Sequence, residues 1–273
     1  MRKVLLVGCG HMGSALLDAW LIKKKYSFTV IDPYNFKVLK KKFKNKKIII
    51  LNSIANRLDC KQFDIIIFAV KPQSASNVLK EYKHFKFKKN SVVVSIIAGK
   101  KISFYKKNLT NAHQIVRVMP NMPAAIKEGL SCLVSNKVVS RENKYRIDDL
   151  FSAVGKNIWL KTENQLDNAT ALSGSGPGFI FTLIDAFEKG SIRIGFSKKL
   201  SREMILKTLI GSAKLMQKVD QDPEKLANLI AVKGGTTEAG IKVLKKNNIK
   251  KIIYNTLLAS YKKASKIGKI KDD

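Results

Sequence analysis

The residues with the clearest chemical meaning stand near the start of the chain. Gly8-Cys9-Gly10-His11-Met12-Gly13 spells G-x-G-x-x-G, directly after the apolar run 3–7 and at the opening of a helical pattern. In that setting the first glycine permits a tight turn and the second lets a pyrophosphate approach the backbone. The third lets helix and strand pack closely. The helix that follows offers N–H donors and positive potential to the anion. His11 then matters through its backbone, and Cys9 is a small apolar filler. Asp32 ends the second strand, 19 residues after Gly13. An acid there accepts a ribose 2′-hydroxyl and repels a 2′-phosphate, which favours NADH over NADPH. Asp32 could instead begin a turn with Pro33, and Lys37 nearby could neutralise a 2′-phosphate. Ala69-Val70-Lys71-Pro72 sits at the carboxyl end of a further strand, where open α/β sheets bind ligands, or is an ordinary strand-to-helix turn.

A second constellation lies at 231–240, where Gly234-Gly235-Thr236-Thr237-Glu238 leads into a helix. Backbone N–H groups and hydroxyls at a helix N-terminus suit a carboxylate or phosphate. The alternative is a capping box with Thr236 or Thr237 as N-cap and no ligand. His11, His84 and His113 have no metal-ligand spacing and no Cys/His cluster exists, so no metal site is expected.

These residues need elements to hold them. Apolar runs at 3–7, 28–31, 48–51, 64–70, 92–97, 115–119 and 130–134 read as strands. They are rich in Val and Ile without polar alternation, which suits a parallel sheet covered on both faces. Beyond about residue 160 the strand signals end and helical periodicities take over, at 179–189, from a Ser201 N-cap to 219, from Pro223, and at 249–264 with Gly268 as a stop. The predicted fold is α/β: a Rossmann-type parallel-sheet domain over 1–162, followed by an all-α domain over 163–273.

Composition narrows the function classes. The 273 residues are 45% apolar and 26% charged, which excludes a disordered chain, a collagen and a disulfide mini-protein. Three cysteines without a C-x-x-C pair, and no apolar run near the ~18 residues of a membrane span, point to a soluble cytoplasmic protein without membrane contact. The net charge is +32, yet only Arg2, Arg57, Arg117, Arg141, Arg146, Arg193 and Arg202 are arginines. Scattered lysine suits surface filling better than base reading, so no specific nucleic acid is expected. The charge should draw small anionic substrates instead.

With Ala69–Pro72, Val116–Pro123 (V-R-V-M-P-N-M-P), Ala171–Pro177 (A-L-S-G-S-G-P) and Gly234–Thr237 in this order, nearly the whole chain resembles the pyrroline-5-carboxylate reductase family. The resemblance implies hydride transfer from NADH or NADPH to the C=N bond of 1-pyrroline-5-carboxylate. It implies that Gly8, Cys9, Gly10, His11, Met12 and Gly13 hold the pyrophosphate. Asn56, Ala69, Val70, Lys71 and Pro72 would line the adenosine and ribose side. Ile96, Ile97, Ala98, Met119, Pro120 and Asn121 would flank the nicotinamide. Ser173, Gly234, Gly235, Thr236 and Thr237 would face the substrate. A protonated cyclic imine is already an electrophile, so positioning outranks proton transfer. Thr237 or Ser173 could hydrogen-bond the ring nitrogen. Glu163 and Asp220 are further substrate candidates, or exposed charges at a helix start and a loop. The resemblance also implies homodimers or higher oligomers built through the helical domain. Val232-Lys233 replaces the family's Ser-Pro before the loop, and Leu229 a polar residue upstream, departures that bear on substrate affinity and admit a related cyclic imino acid. A β-hydroxyacid dehydrogenase shares the fold but places a lysine on the helix after its glycine-rich segment, and 178–188 has none. A non-catalytic basic Rossmann protein would show a broken phosphate loop or an arginine face, and neither occurs.

Overall fold

The computed structural model describes residues 1–54 and 60–267. Its strands are β1 (Arg2–Val7), β2 (Tyr26–Ile31), β3 (Ile48–Leu51), β4 (Ile65–Phe68), β5 (Val92–Ser95), β6 (Gln114–Met119), β7 (Gly129–Ser135) and β8 (Gly155–Trp159). They form one sheet in the order β3-β2-β1-β4-β5-β6-β7-β8. β1 to β6 are mutually parallel, β7 is antiparallel to β6, and β8 is parallel to β7. The order reverses at β1/β4, the switch point outside which doubly wound sheets bind nucleotides.

The missing polar alternation of the strands has its cause in two cores. Val4, Leu6, Ile65, Ile67, Val92 and Val94 point to one side of the sheet, against Leu16, Leu17 and Trp20 of α1 (His11–Trp20). Leu5, Val7, Ile66, Phe68 and Val93 point to the other, against Leu79 and Tyr82 of α3 (Ala75–Tyr82) and Tyr105 of α4 (Ile102–Asn108). With both faces covered, neighbouring positions are apolar alike. α2 (Phe36–Lys42) follows β2, and α5 (Arg141–Phe151) precedes β8. β8 is not among the expected strands, because Gly155-Lys-Asn-Ile-Trp159 is an edge strand with no fully buried residue.

Two compact units emerge: Met1–Ser175 joined by the chain from Ser260, and Gly176–Ala259. The chain leaves the first unit after Ser175 rather than at the expected 162/163 and returns to it at Ser260, so the second unit does not run to the end of the chain. The first boundary has a packing reason. Leu166 of α6 (Glu163–Ala169) is buried against Cys132 and Val134 of β7, which ties α6 to the sheet. A π-helical turn over Thr170–Gly174 follows, and Ser175 Oγ accepts from Ser260 Oγ at 3.0 Å.

The second unit holds α7 (Gly176–Arg193), α8 (Lys198–Lys218), α9 (Pro223–Ile230), α10 (Thr236–Lys246) and the first part of α11 (Ile249–Ile267). Ser197, not Ser201, caps α8 by accepting from Leu200 N–H at 3.3 Å, and Ser201 is buried inside the helix. Asp222 caps α9, where Pro223 takes the first-turn place its sequence suggests. Gly268, the expected stop of the last helix, lies outside the described residues. This unit leaves large apolar side chains exposed, among them Phe181, Phe187, Ile194, Ile230 and Val243.

Candidate active site

Four loops reach the carboxyl edge of neighbouring parallel strands: 8–13 after β1, 69–72 after β4, 96–98 after β5, and 119–121 at the end of β6. Backbone hydrogen bonds hold them in step. Gly8 N–H donates to Ile31 O at 2.8 Å, Ala69 N–H to Val7 O at 2.8 Å, and Ile96 N–H to Phe68 O at 3.0 Å.

The glycines of the first loop divide their work. Gly8 has φ +85°, and a Cβ there would meet the Ala69 backbone at 2.9 Å. A Cβ at Gly13 would approach Gly8 O to 3.0 Å. At Gly10 a Cβ would meet nothing within 4 Å, so this glycine answers to no protein neighbour. Gly10 is also the N-cap of α1 and brings no capping side chain, while Ser14 N–H is the amide that returns to Gly10 O. The amides of 11–13 are therefore left to an external acceptor. The opening over Gly10 and these amides fit a pyrophosphate. Lys42 adds a charge that sequence reading missed, donating to Ser14 Oγ at 2.8 Å and to Asp18 at 2.6 Å. It lies 28 residues from Ser14, so no local motif announces it.

Asp32 has a different role from the one its position suggests. It is buried, and Oδ2 accepts from Cys9 N–H at 2.7 Å and Asn35 Nδ2 at 3.0 Å, while Oδ1 accepts from Asn35 N–H at 2.8 Å. The carboxylate thus fastens the phosphate loop to the turn after β2, the turn that the Asp32-Pro33 alternative expects. Cys9 is core, and burial followed by the Asp32 charge pushes its thiol up to about 12. Asn56 lies outside the described residues. Lys71 precedes a 3₁₀ turn that Pro72 opens.

On the nicotinamide side, Ser95 Oγ accepts from Ile97 N–H at 3.1 Å and contacts the Tyr105 hydroxyl. Asn121 donates through Nδ2 to Ser173 O at 3.2 Å and accepts from Leu130 N–H at 2.8 Å, so it clamps the loop to the π-helical turn. Met119 lies against that turn, 3.8 Å from where a Cβ on Gly174 would sit, and Pro120 is buried. Ser173 Oγ donates to Ala169 O at 2.8 Å, which engages its proton within the helix. Glu163 is neither exposed nor open. Its Oε1 accepts from Arg117 Nη1 at 2.7 Å and from Ile102 N–H at 2.9 Å, and Asp167 takes Arg117 Nη2 at 3.1 Å. An arginine inside the apolar strand V-R-V-M was the sequence signal for buried acidic partners, since a buried guanidinium requires them.

The remaining candidates belong to the other unit. Asp220 is exposed on the link between α8 and α9. Gly235, not Thr236 or Thr237, is the N-cap of α10 and carries no capping side chain, so the capping-box alternative does not hold. Ala239 N–H is the amide that returns to Gly235 O, which leaves the Thr236 and Thr237 amides at the open end of the helix. Val232 and Leu229 are exposed, and a Cβ on Gly235 would meet Val232 at 2.9 Å. Among the described residues no His/Cys/Asp/Glu group could hold a metal ion.

The sheet order, the loops at its switch point and the open glycine define a dinucleotide-binding protein of Rossmann type. Comparison with known proteins narrows the class. Residues 163–267 match the family described as pyrroline-5-carboxylate reductase dimerisation, and residues 3–99 match NADP oxidoreductase coenzyme F420-dependent. The pyrroline-5-carboxylate reductase of Methanosarcina acetivorans is 31% identical over 98% of both chains. That of Aquifex aeolicus is 32% identical over 97% of both. The crystal structure of the Plasmodium falciparum pyrroline carboxylate reductase with NADP bound is 30% identical, with a TM-score of 0.86 over 98% of both chains. The chain belongs to the pyrroline-5-carboxylate reductase family.

Proposed function

We propose that the chain reduces 1-pyrroline-5-carboxylate to L-proline with NADPH or NADH. The observation that carries this reading is the loop over Gly10, whose free amides at the switch point suit a dinucleotide, in a chain that keeps the Gly-Gly-Thr-Thr loop of its family. When bound, the dinucleotide supplies the hydride. The amides of 11–13 hold its phosphates, and residues 69–72 border the ribose. Residues 96–98 and 119–121, fixed by Ser95 and Asn121, orient the nicotinamide side. The open amides of Thr236 and Thr237 receive the substrate carboxylate, backed by Gly234 and Gly235. The Thr237 hydroxyl hydrogen-bonds the ring nitrogen. It ranks above Ser173, whose proton is engaged by Ala169. Glu163 and Asp220 have at most an indirect part. The fit of a cyclic imine needs no strong protein base, because the protonated imine is itself the electrophile.

The dimerisation match and the exposed apolar face of the second unit support a homo-oligomer. Among the described residues no helix is long and apolar enough to cross a membrane, and Cys9 and Cys132 are free thiols, which suits a reducing cytoplasm. The lysine surplus serves to attract the anionic substrate rather than nucleic acid. The test is oxidation of NADPH and NADH followed by absorbance with and without the imine. Turnover that requires the imine is expected, and its absence in folded protein that still binds dinucleotide overturns the reading.

A further inference from the structure

The Gly-Gly-Thr-Thr loop is closed from within its own helix. Gly234 has φ +77°, and its N–H donates to Glu238 Oε2 at 2.9 Å. Lys242, one turn further along α10, holds the other oxygen of that carboxylate at 3.1 Å. In a capping box, the acid at the third helical position returns to the N-cap amide. Here the N-cap amide, Gly235 N–H, already donates to Val232 O at 3.0 Å. Glu238 therefore reaches one residue further back, to the residue whose left-handed conformation sets the turn. Both its oxygens face groups other than the Thr236 and Thr237 amides, and its charge is partly balanced by Lys242. The Gly234 amide, then Lys242, hold its carboxyl below the usual carboxylate range.

We propose that Glu238 is the positioning residue of the substrate's carboxylate site: it latches Gly234 in its left-handed turn and so leaves the Thr236 and Thr237 amides aimed outward as the donors. This rests on the functional reading above, in which those amides receive the carboxylate. The hydrogen bond, not the negative charge, does the positioning, because a second carboxylate beside the substrate's own is of no electrostatic help.

Full-length wild type, Glu238→Ala and Glu238→Gln are compared by steady-state kinetics with NADPH and the imine. Amide exchange over 231–237 is followed by mass spectrometry. Glu238→Ala is expected to raise KM for the imine about fivefold to tenfold, the scale of one solvent-exposed hydrogen bond, with kcat and the KM for NADPH within about twofold. Glu238→Gln keeps an acceptor for Gly234 N–H and restores KM. Exchange over 231–237 is faster in Glu238→Ala alone. An unchanged KM in Glu238→Ala, or a Glu238→Gln variant as impaired as Glu238→Ala, overturns the proposal. If wild type reduces no imine, the functional reading fails. The exchange data then decide the latch by themselves, and equal protection in wild type and Glu238→Ala overturns it.

Discussion

A methyl group on Gly10 would touch no atom within 4 Å, whereas one on Gly8 would press into the Ala69 backbone at φ +85°. The two substitutions therefore separate binding from folding. Gly10→Ala should leave the melting temperature within about 2 °C of wild type and weaken NADPH binding at least about tenfold, because it fills space meant for phosphate. Gly8→Ala should cost about 2–3 kcal/mol of stability, from left-handed strain plus overlap with backbone. Denaturant unfolding and dinucleotide titration of both variants decide this. Asp32 makes a second residue-scale prediction. Its carboxylate joins Cys9 to Asn35, so Asp32→Asn should lower kcat/KM for NADPH and NADH together, by about tenfold, with the ratio between them moving less than about threefold. A swing of the ratio toward NADPH would restore Asp32 as the ribose reader.

At the scale of elements, α5 is tied to the start of β2 by one carboxylate. Asp149 accepts from the Tyr26 hydroxyl at 2.8 Å, and Lys23 and Lys25 lie at 3.1 and 2.7 Å from its Oδ1. Burial alone would raise its pKa, but Lys25, Tyr26 and Lys23 outweigh that and hold it at about 2. A carboxyl depressed in the folded state stabilises above the unfolded value of about 4, and that contribution is lost as pH falls from there toward about 2. Thermal unfolding between about pH 5 and pH 2 should therefore steepen in wild type and flatten in Asp149→Asn, with the two curves converging at the acid end. Most of the elements were legible in the sequence, since β1 to β7 are apolar runs and α1 and α7 to α11 keep helical spacing. What was not legible depends on partners far along the chain. β8 is a partly buried edge, α6 joins the sheet through Leu166 and Arg117, and the ends of Asp32 and Glu163 are taken by backbone amides that no spacing reveals. The glycine spacing of the 8–13 loop was legible because it is local, while its fastening to Asp32 and Lys42 was not.

For the molecule as a whole, Phe181, Phe187, Ile194, Ile230 and Val243 are between 56% and 77% exposed in the unit of Gly176–Ala259, and only Glu188 and Ser201 there are buried. A helical unit that buries so little by itself needs apolar cover, and a second copy of the chain is the cover its family match supplies. Sedimentation velocity at micromolar protein should give a species of at least twice the 30.6 kDa chain mass, and its stability should depend on protein concentration. A monomer of full stability at that concentration would contradict the reading.

The close approach of Gly8, Gly13 and Ala69 has a consequence for how such a protein can change over generations. A Cβ on Gly13 would stand 3.6 Å from Ala69 Cβ, and one on Gly8 would run into Ala69 and Val70. Three positions from two loops share one small volume, so a gain in size at any of them has no room to be absorbed singly. In a library randomised at 8, 13 and 69 together, survivors should be confined to combinations no larger than the present one. The two loops can drift in sequence only as a pair, although more than fifty residues of chain lie between them.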